Sequence, residues 1–194
     1  MIVRTSLALL AAAALSLPGL ASAQARGRST GAQLGVLIGF EDGDADAGVS
    51  LRLDGEFDWQ ALSPAVRLSF VGSIGYTRWT DDLGPFSDLD WTVNVVKFVP
   101  AARFSFGRSP TLRPYFDAGI GFHYVSFSIE QRDAFGRVYS IDDSDISLMM
   151  RFAGGLLFQV SPGLALGGEI GLTPYFGELD DNTFSVMFAA SFRL

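Results

Sequence analysis

The sequence contains no cysteine, which excludes a disulfide-stapled scaffold and a thiolate metal site. Charge is sparse, at 18% of its 194 residues, and basic charge is sparser still: 14 Lys and Arg stand against 21 Asp and Glu, a formal net charge of -7. That balance argues against a nucleic-acid partner, which rewards basic patches. Beyond the amino-terminal segment there is no unbroken apolar run of the ~18 residues that a membrane-crossing helix needs. What the chain does have is 48% hydrophobic residues, 22 Gly and 17 Phe. This is too apolar for a disordered acidic chain, and the length corresponds to one domain.

The amino terminus reads as an export signal. Arg4 supplies a positive start, Leu7 to Leu17 form a short apolar core, and Pro18 and Gly19 break it. Ala21, Ser22 and Ala23 then offer the small residues that a signal peptidase requires. Residues 1–23 are therefore expected to be a cleaved signal peptide, and residues 24–194, from Gln24, a single exported domain.

From there, alternation with period two dominates, the signature of strands with one apolar face. Leu34, Val36, Ile38 and Phe40 alternate with Gln33, Gly35 and Gly39. Leu51 and Leu53 alternate with Arg52 and Asp54, and Leu68, Phe70 and Ile74 with Arg67, Ser69 and Ser73. Phe98, Phe104 and Phe106 leave Lys97 and Arg103 on the other face. Phe116, Ile120 and Phe122 oppose Asp117 and His123; Leu148, Phe152 and Leu156 oppose Ser147 and Arg151. Leu166, Ile170 and Leu172 oppose Glu169, and Phe184 to Phe192 close the series. Short connections near residues 59–64, 107–113 and 161–163 alternate with long ones at 41–47, 80–90, 127–145 and 176–183. Eight strands with alternating short and long connections predict an all-β fold, an eight-stranded antiparallel up-and-down transmembrane β-barrel.

The orientation of the faces decides between a soluble and a membrane barrel. An eight-stranded lumen is just wide enough for side chains, so small residues and opposite charges suit it. The continuous face of Leu, Ile, Val and Phe is then best placed against lipid, where closure satisfies every backbone amide. Most of the acidic residues fall in the long connections, among them Glu41, Asp42, Asp81, Asp88, Asp142 and Asp180; these are expected to face the outside and the short turns the periplasm. Trp59, Tyr76, Trp91, Phe106, Tyr115, Tyr124 and Tyr175 are expected to supply the interfacial aromatic girdles.

At this point the chain resembles the small bacterial outer membrane β-barrel proteins of the OmpX, OmpW and OmpA-barrel type. The stretch from Arg113 to Phe122, Arg-Pro-Tyr-Phe-Asp-Ala-Gly-Ile-Gly-Phe, looks like the R-P-Y-x-x-A-G-x-G-aromatic strand of that group. Its members end in Phe or Trp as part of an assembly signal; here Leu194 is last, with Phe192 two residues earlier on the same face. The resemblance implies outer membrane localisation, contact with outer membrane lipids and lipopolysaccharide, and handling by the barrel assembly machinery. A closed wall needs no second subunit, so a monomer is expected.

Candidate chemistry is thin. His123 is the only histidine, and a lipid A-modifying enzyme could use it with Ser126 or Ser128; parity instead puts it in the lumen with Asp117. Arg52, Arg67, Asp117, His123, Arg151 and Glu169 could define an ion path, but an internal ion network that holds the wall together explains them without one. Asp42, Asp44 and Asp46 open like an EF-hand loop, but Ala47 and Leu53 occupy the places of its Gly and Glu, so no metal site is expected. Gly119 and Gly121 are followed by Tyr124 where a dinucleotide fingerprint needs its third Gly, and no cofactor is expected. The expected role is a non-enzymatic surface or structural barrel. An adhesin or a narrow conduit for small apolar molecules is the second class, and a lipid A-modifying enzyme the third.

Overall fold

In the alternating segments each backbone group that is not paired within its own strand must find a neighbour, and the neighbours follow in sequence order. The computed structural model describes residues 31–42, 47–82, 89–107, 111–132, 138–177 and 182–194. The expected signal peptide, and Asp44 and Asp46, lie outside these. Eight strands follow one another: β1 (Ala32–Asp42), β2 (Ala47–Ser63), β3 (Val66–Asp82), β4 (Leu89–Phe106), β5 (Leu112–Arg132), β6 (Val138–Ser161), β7 (Leu164–Pro174) and β8 (Asn182–Arg193). Each pairs antiparallel with the next, and β1 pairs with β8, opposing Ile38 to Phe188, so the sheet closes on itself. Closure leaves no edge strand in the wall.

Alternation sets the two faces. Ile38, Phe98, Ile120, Ile170 and Phe188 point outward and are 47–74% exposed. Leu51, Leu148, Phe152 and Leu156 join them on a belt of exposed large hydrophobics that runs round the barrel. A water-facing surface rarely carries a contiguous apolar patch beyond a few hundred Å², whereas this belt suits hydrocarbon. The inward positions carry the ionic groups, all buried: Arg52, Asp54, Glu56, Lys97, Arg103, Asp117, Arg151 and Glu169. The predicted fold class is what the chain adopts.

Short turns gather at one end. Pro64 and Ala65 join β2 to β3, and Pro162 and Gly163 join β6 to β7. Gly107 follows β4 with a φ of 104°, a left-handed conformation that glycine adopts without strain. Within the wall, Gly121 on β5 is required by proximity: a Cβ there would stand 2.1 Å from the Phe98 carbonyl oxygen of β4.

At the other end the strands run further than expected. The supposed long connection over 127–145 is mostly paired strand, with Arg132 opposite Val138. At 21 and 24 residues, β5 and β6 far exceed the ~9–11 residues that cross a bilayer, so much of this hairpin stands beyond the hydrocarbon. The connection over 80–90 likewise begins as paired strand, Asp82 opposite Asp90. Glu41 belongs to β1 and points into the lumen, 2% exposed, which corrects its assignment to an outer loop.

The aromatic girdle also divides. Trp59, Tyr76, Phe106 and Tyr124 lie on the outer surface, but Tyr115 and Tyr175 are 4% and 2% exposed inside the barrel. Trp91 is half-buried against an internal apolar cluster. Strand parity governs these positions, and it turns both tyrosines inward.

If the outer face meets hydrocarbon, Ile170→Arg at mid-wall should destabilise the barrel by about 2–4 kcal/mol, and Phe192→Arg at the short-turn end by about 0–1 kcal/mol. Urea unfolding in lipid vesicles, read by tryptophan fluorescence, checks both. Equal costs at the two positions would contradict this orientation.

Candidate functional site in the barrel lumen

Alternate residues of a closed eight-stranded wall have to point inward, and whatever points inward loses its water. A charge in that position is tolerated only when paired and hydrogen-bonded. The lumen meets this demand with a continuous ionic network drawn from five strands. Arg52 on β2 donates from Nε and Nη2 to both carboxylate oxygens of Asp54, at 2.9 and 3.1 Å. It reaches across the lumen to Glu169 on β7, at 2.6 and 2.8 Å. Arg103 on β4 grips Asp117 on β5 bidentately, both contacts at 2.7 Å, and donates to Glu56 at 2.7 Å. A 3.4 Å contact with Asp54 links it to the Arg52 group. Arg151 on β6 adds Asp117 at 3.1 Å and the Ser73 hydroxyl at 2.9 Å. Tyr115 donates its hydroxyl to Glu169 at 2.8 Å while its ring lies under the Arg103 guanidinium at 4.2 Å.

A second ionic layer sits toward the outer end. Lys97 pairs with Glu41, whose other oxygen accepts the hydroxyls of Tyr175 at 2.7 Å and Thr183 at 2.6 Å. Thr77 donates to the oxygen that Lys97 holds, at 2.9 Å. The Lys97 ammonium lies 5.3 and 5.7 Å from the ring centres of Tyr175 and Trp79, close enough for cation–π attraction. Trp79, Val93, Val95, Val99, Val125, Met149 and Tyr175 pack an apolar cluster around this layer. Leu37, Tyr115, Leu157, Met187 and Ala189 pack another against the network itself, Leu37 opposite Arg52 and Met187 opposite Glu169. Two gaps among these groups measure about 10 and 30 Å³, room for single waters.

Of the residues predicted to share one lumenal network, Arg52, Asp117, Arg151 and Glu169 do. Arg67 does not. It has the lumenal parity of Ser69 and Ser73, but it lies beside the β2–β3 turn, so its side chain reaches the open mouth. There it stays half exposed and pairs with Asp58, at 3.6 Å. His123 is in the lumen as parity requires, 1% exposed, but it stands in the outer apolar layer and not beside Asp117. Its ring meets Tyr175 edge-on, centres 4.9 Å apart, and neither ring nitrogen has a hydrogen-bond partner among the described residues. Ser126 and Ser128 differ from it in parity and occupy the opposite face of β5, so His123 and these serines form no base–nucleophile pair.

The network's other members, Asp54, Glu56 and Arg103, carried the same parity signal in the sequence. The Glu41–Lys97 pair was harder to see, because Glu41 opens an acidic run. Among the described residues no three His, Cys, Asp or Glu side chains come together as a metal site.

A closed sheet with a greasy exterior and a buried ionic interior defines a transmembrane β-barrel. The chain belongs to the outer membrane protein beta-barrel domain family, which it matches over residues 7–192, and the bacterial outer membrane is its place. Among solved structures it is similar to a major outer membrane protein of Thermus thermophilus, at 14% identity and a TM-score of 0.62 over 84% of this chain and 99% of that one. It is also similar to Neisserial surface protein A, at 15% identity and 0.53 over 87% and 100%. The outer membrane enzyme PagL follows at 18% identity and 0.53 over 84% and 99%. These likenesses show the fold. No curated protein sequence is similar enough to this chain to stand as a relative.

Removing Arg103 would strand Glu56 as an uncompensated buried charge and leave Asp117 with Arg151 alone. Arg103→Leu should therefore cost about 3–5 kcal/mol in a urea titration. His123→Phe removes no hydrogen bond and fills a similar volume, so it should cost under about 1.5 kcal/mol.

Proposed function

We propose that this chain is a monomeric, non-enzymatic and non-conducting wall protein of the outer membrane. The observation that carries this reading is the continuous lumenal network; the gaps described between its members and the packed apolar clusters measure about 10 and 30 Å³. A solute would have to break several buried ion pairs to pass. The lipid-facing belt supports contact with membrane lipids and lipopolysaccharide, and delivery by the barrel assembly machinery follows from the family. The opposed faces of His123 and its neighbouring serines weigh against lipid A modification through that histidine.

A role in surface attachment has its own support. The β5–β6 hairpin continues far past the bilayer, and β6 above Met149 has no register partner on β7 among the described residues. Such a ribbon, bearing Asp143 and Asp145, presents backbone and negative charge to the outside.

Purified protein in a planar bilayer should give no steady conductance; large open channels would overturn the closed-wall reading. Lipid A mass spectra from cells with and without the protein should match. Deleting residues 127–145 should reduce surface attachment while the barrel keeps its heat-modifiable migration on gels, and undiminished attachment would remove that role.

A further inference from the structure

Below the sealed centre, at the short-turn end, the lumen widens into a cavity of about 620 Å³. Three guanidinium side chains line it, those of Arg67, Arg113 and Arg193, and no described carboxylate does. Arg113 is half-buried and donates to the Gln33 side-chain oxygen at 2.8 Å. Gln33 is itself buried and also accepts the Ser191 hydroxyl at 3.3 Å. An amide oxygen carries no charge, so this contact positions Arg113 without neutralising it. The carboxylates that act on Arg113 from outside the cavity wall are Asp58 and Glu56. Asp58 is shared with Arg67 at 3.6 Å, and Glu56 is held by Arg103 at 2.7 Å. Among the described residues the mouth therefore keeps an excess of positive charge, in a chain whose net charge is -7.

Ser105 lies in the same wall, but its hydroxyl is buried away from the cavity, so the cationic side chains alone define the site.

We infer that the periplasmic mouth is a binding site for a phosphate group, held by Arg113, Arg193 and Arg67. Guanidinium forks match phosphate and carboxylate alike. A tetrahedral phosphate presents acceptor oxygens in several directions, however, whereas a carboxylate presents them in one plane, so cations spread around a mouth favour the phosphate. The cavity is within the ordinary size of small-molecule sites. The group could be carried by a soluble periplasmic phosphate or by an inner-leaflet lipid head group.

The full chain in phosphate-free maltoside micelles, titrated calorimetrically with inorganic pyrophosphate at low salt, should show saturable binding. Arg113→Gln and Arg193→Gln should each weaken it by about tenfold, the scale of a lost charge-assisted hydrogen bond. Heat-modifiable migration verifies that each variant is folded; Arg193→Gln, at the exposed rim, serves if Arg113→Gln does not fold. Phosphatidylglycerol nanodiscs separate the sources: loss of pyrophosphate binding there assigns the site to lipid head groups, and retained binding to soluble phosphate. The assignment is overturned by the absence of saturable binding in micelles, by undiminished binding in the Arg113→Gln/Arg193→Gln double variant, or by preference for a glutamate-rich peptide over pyrophosphate. None of these outcomes touches the conductance reading, because the site lies on the periplasmic side of the filled centre.

Discussion

A polypeptide in hydrocarbon has no water to pair with its backbone, so every N–H and C=O in the crossing segment must pair with another part of the chain. Here that demand is met by the β1–β8 ladder, which turns seven hairpin pairings into a closed wall. Closure at eight strands then fixes the bore, and at that bore the interior admits side chains and little else. The same pleat that sends Ile170 to the lipid sends Glu169 inward. The lumenal charges are in this sense a consequence of the wall: polar side chains are barred from the outside by hydrocarbon and have to be accommodated inside.

Accommodation explains the choice of arginine. Arg52 holds Asp54 and Glu169 together, and Arg103 holds Asp117 and Glu56. Each uses a planar fork with donors enough for two carboxylates. A lysine offers a point charge on a flexible stem, and the one lysine present, Lys97, serves a single carboxylate whose remaining capacity is taken up by hydroxyls. Buried pairs contribute little net stability once desolvation is counted. Their larger effect is on specificity: Arg52 ties β2 to β7 and Arg103 ties β4 to β5 and β2, so a one-residue slip in any of these strands would break ion pairs as well as flip the apolar face.

The fold was legible because period-two patterning repeats along the chain and each position has only two destinations. Parity placed Arg52, Asp117, Arg151, His123 and Glu169 inside. It also contained the information for Tyr115, which the residue type, an aromatic near a strand end, drew to the outer girdle instead. Height along the strand was less legible. Arg67 has lumenal parity but sits by a turn, where an inward direction leads to open solvent, and His123 is several residues above Asp117 on the same strand. Pairing across the lumen was not legible at all. The contact between Arg52 and Glu169 joins residues far apart in sequence through the closure of the ring, and nothing local in either segment announces it.

Low identity to barrels of the same architecture follows from the same physics. A lipid-facing position asks for any large apolar residue, and a lumenal one for small size or a matched charge, so sequences drift while the wall persists. What can distinguish one such protein from another is confined to the ends, where neither rule applies. Among the described residues, Asp42, Asp143 and Asp145 stand at the end away from the short turns, and Arg67, Arg113 and Arg193 at the short-turn end. On the non-conducting reading proposed above, the packed ionic centre between them blocks exchange of solute, and the lumen then carries no signal from one to the other as diffusing matter. Any coupling between the two ends would have to pass through the wall itself, by way of the strands that Arg52 and Arg103 lock together.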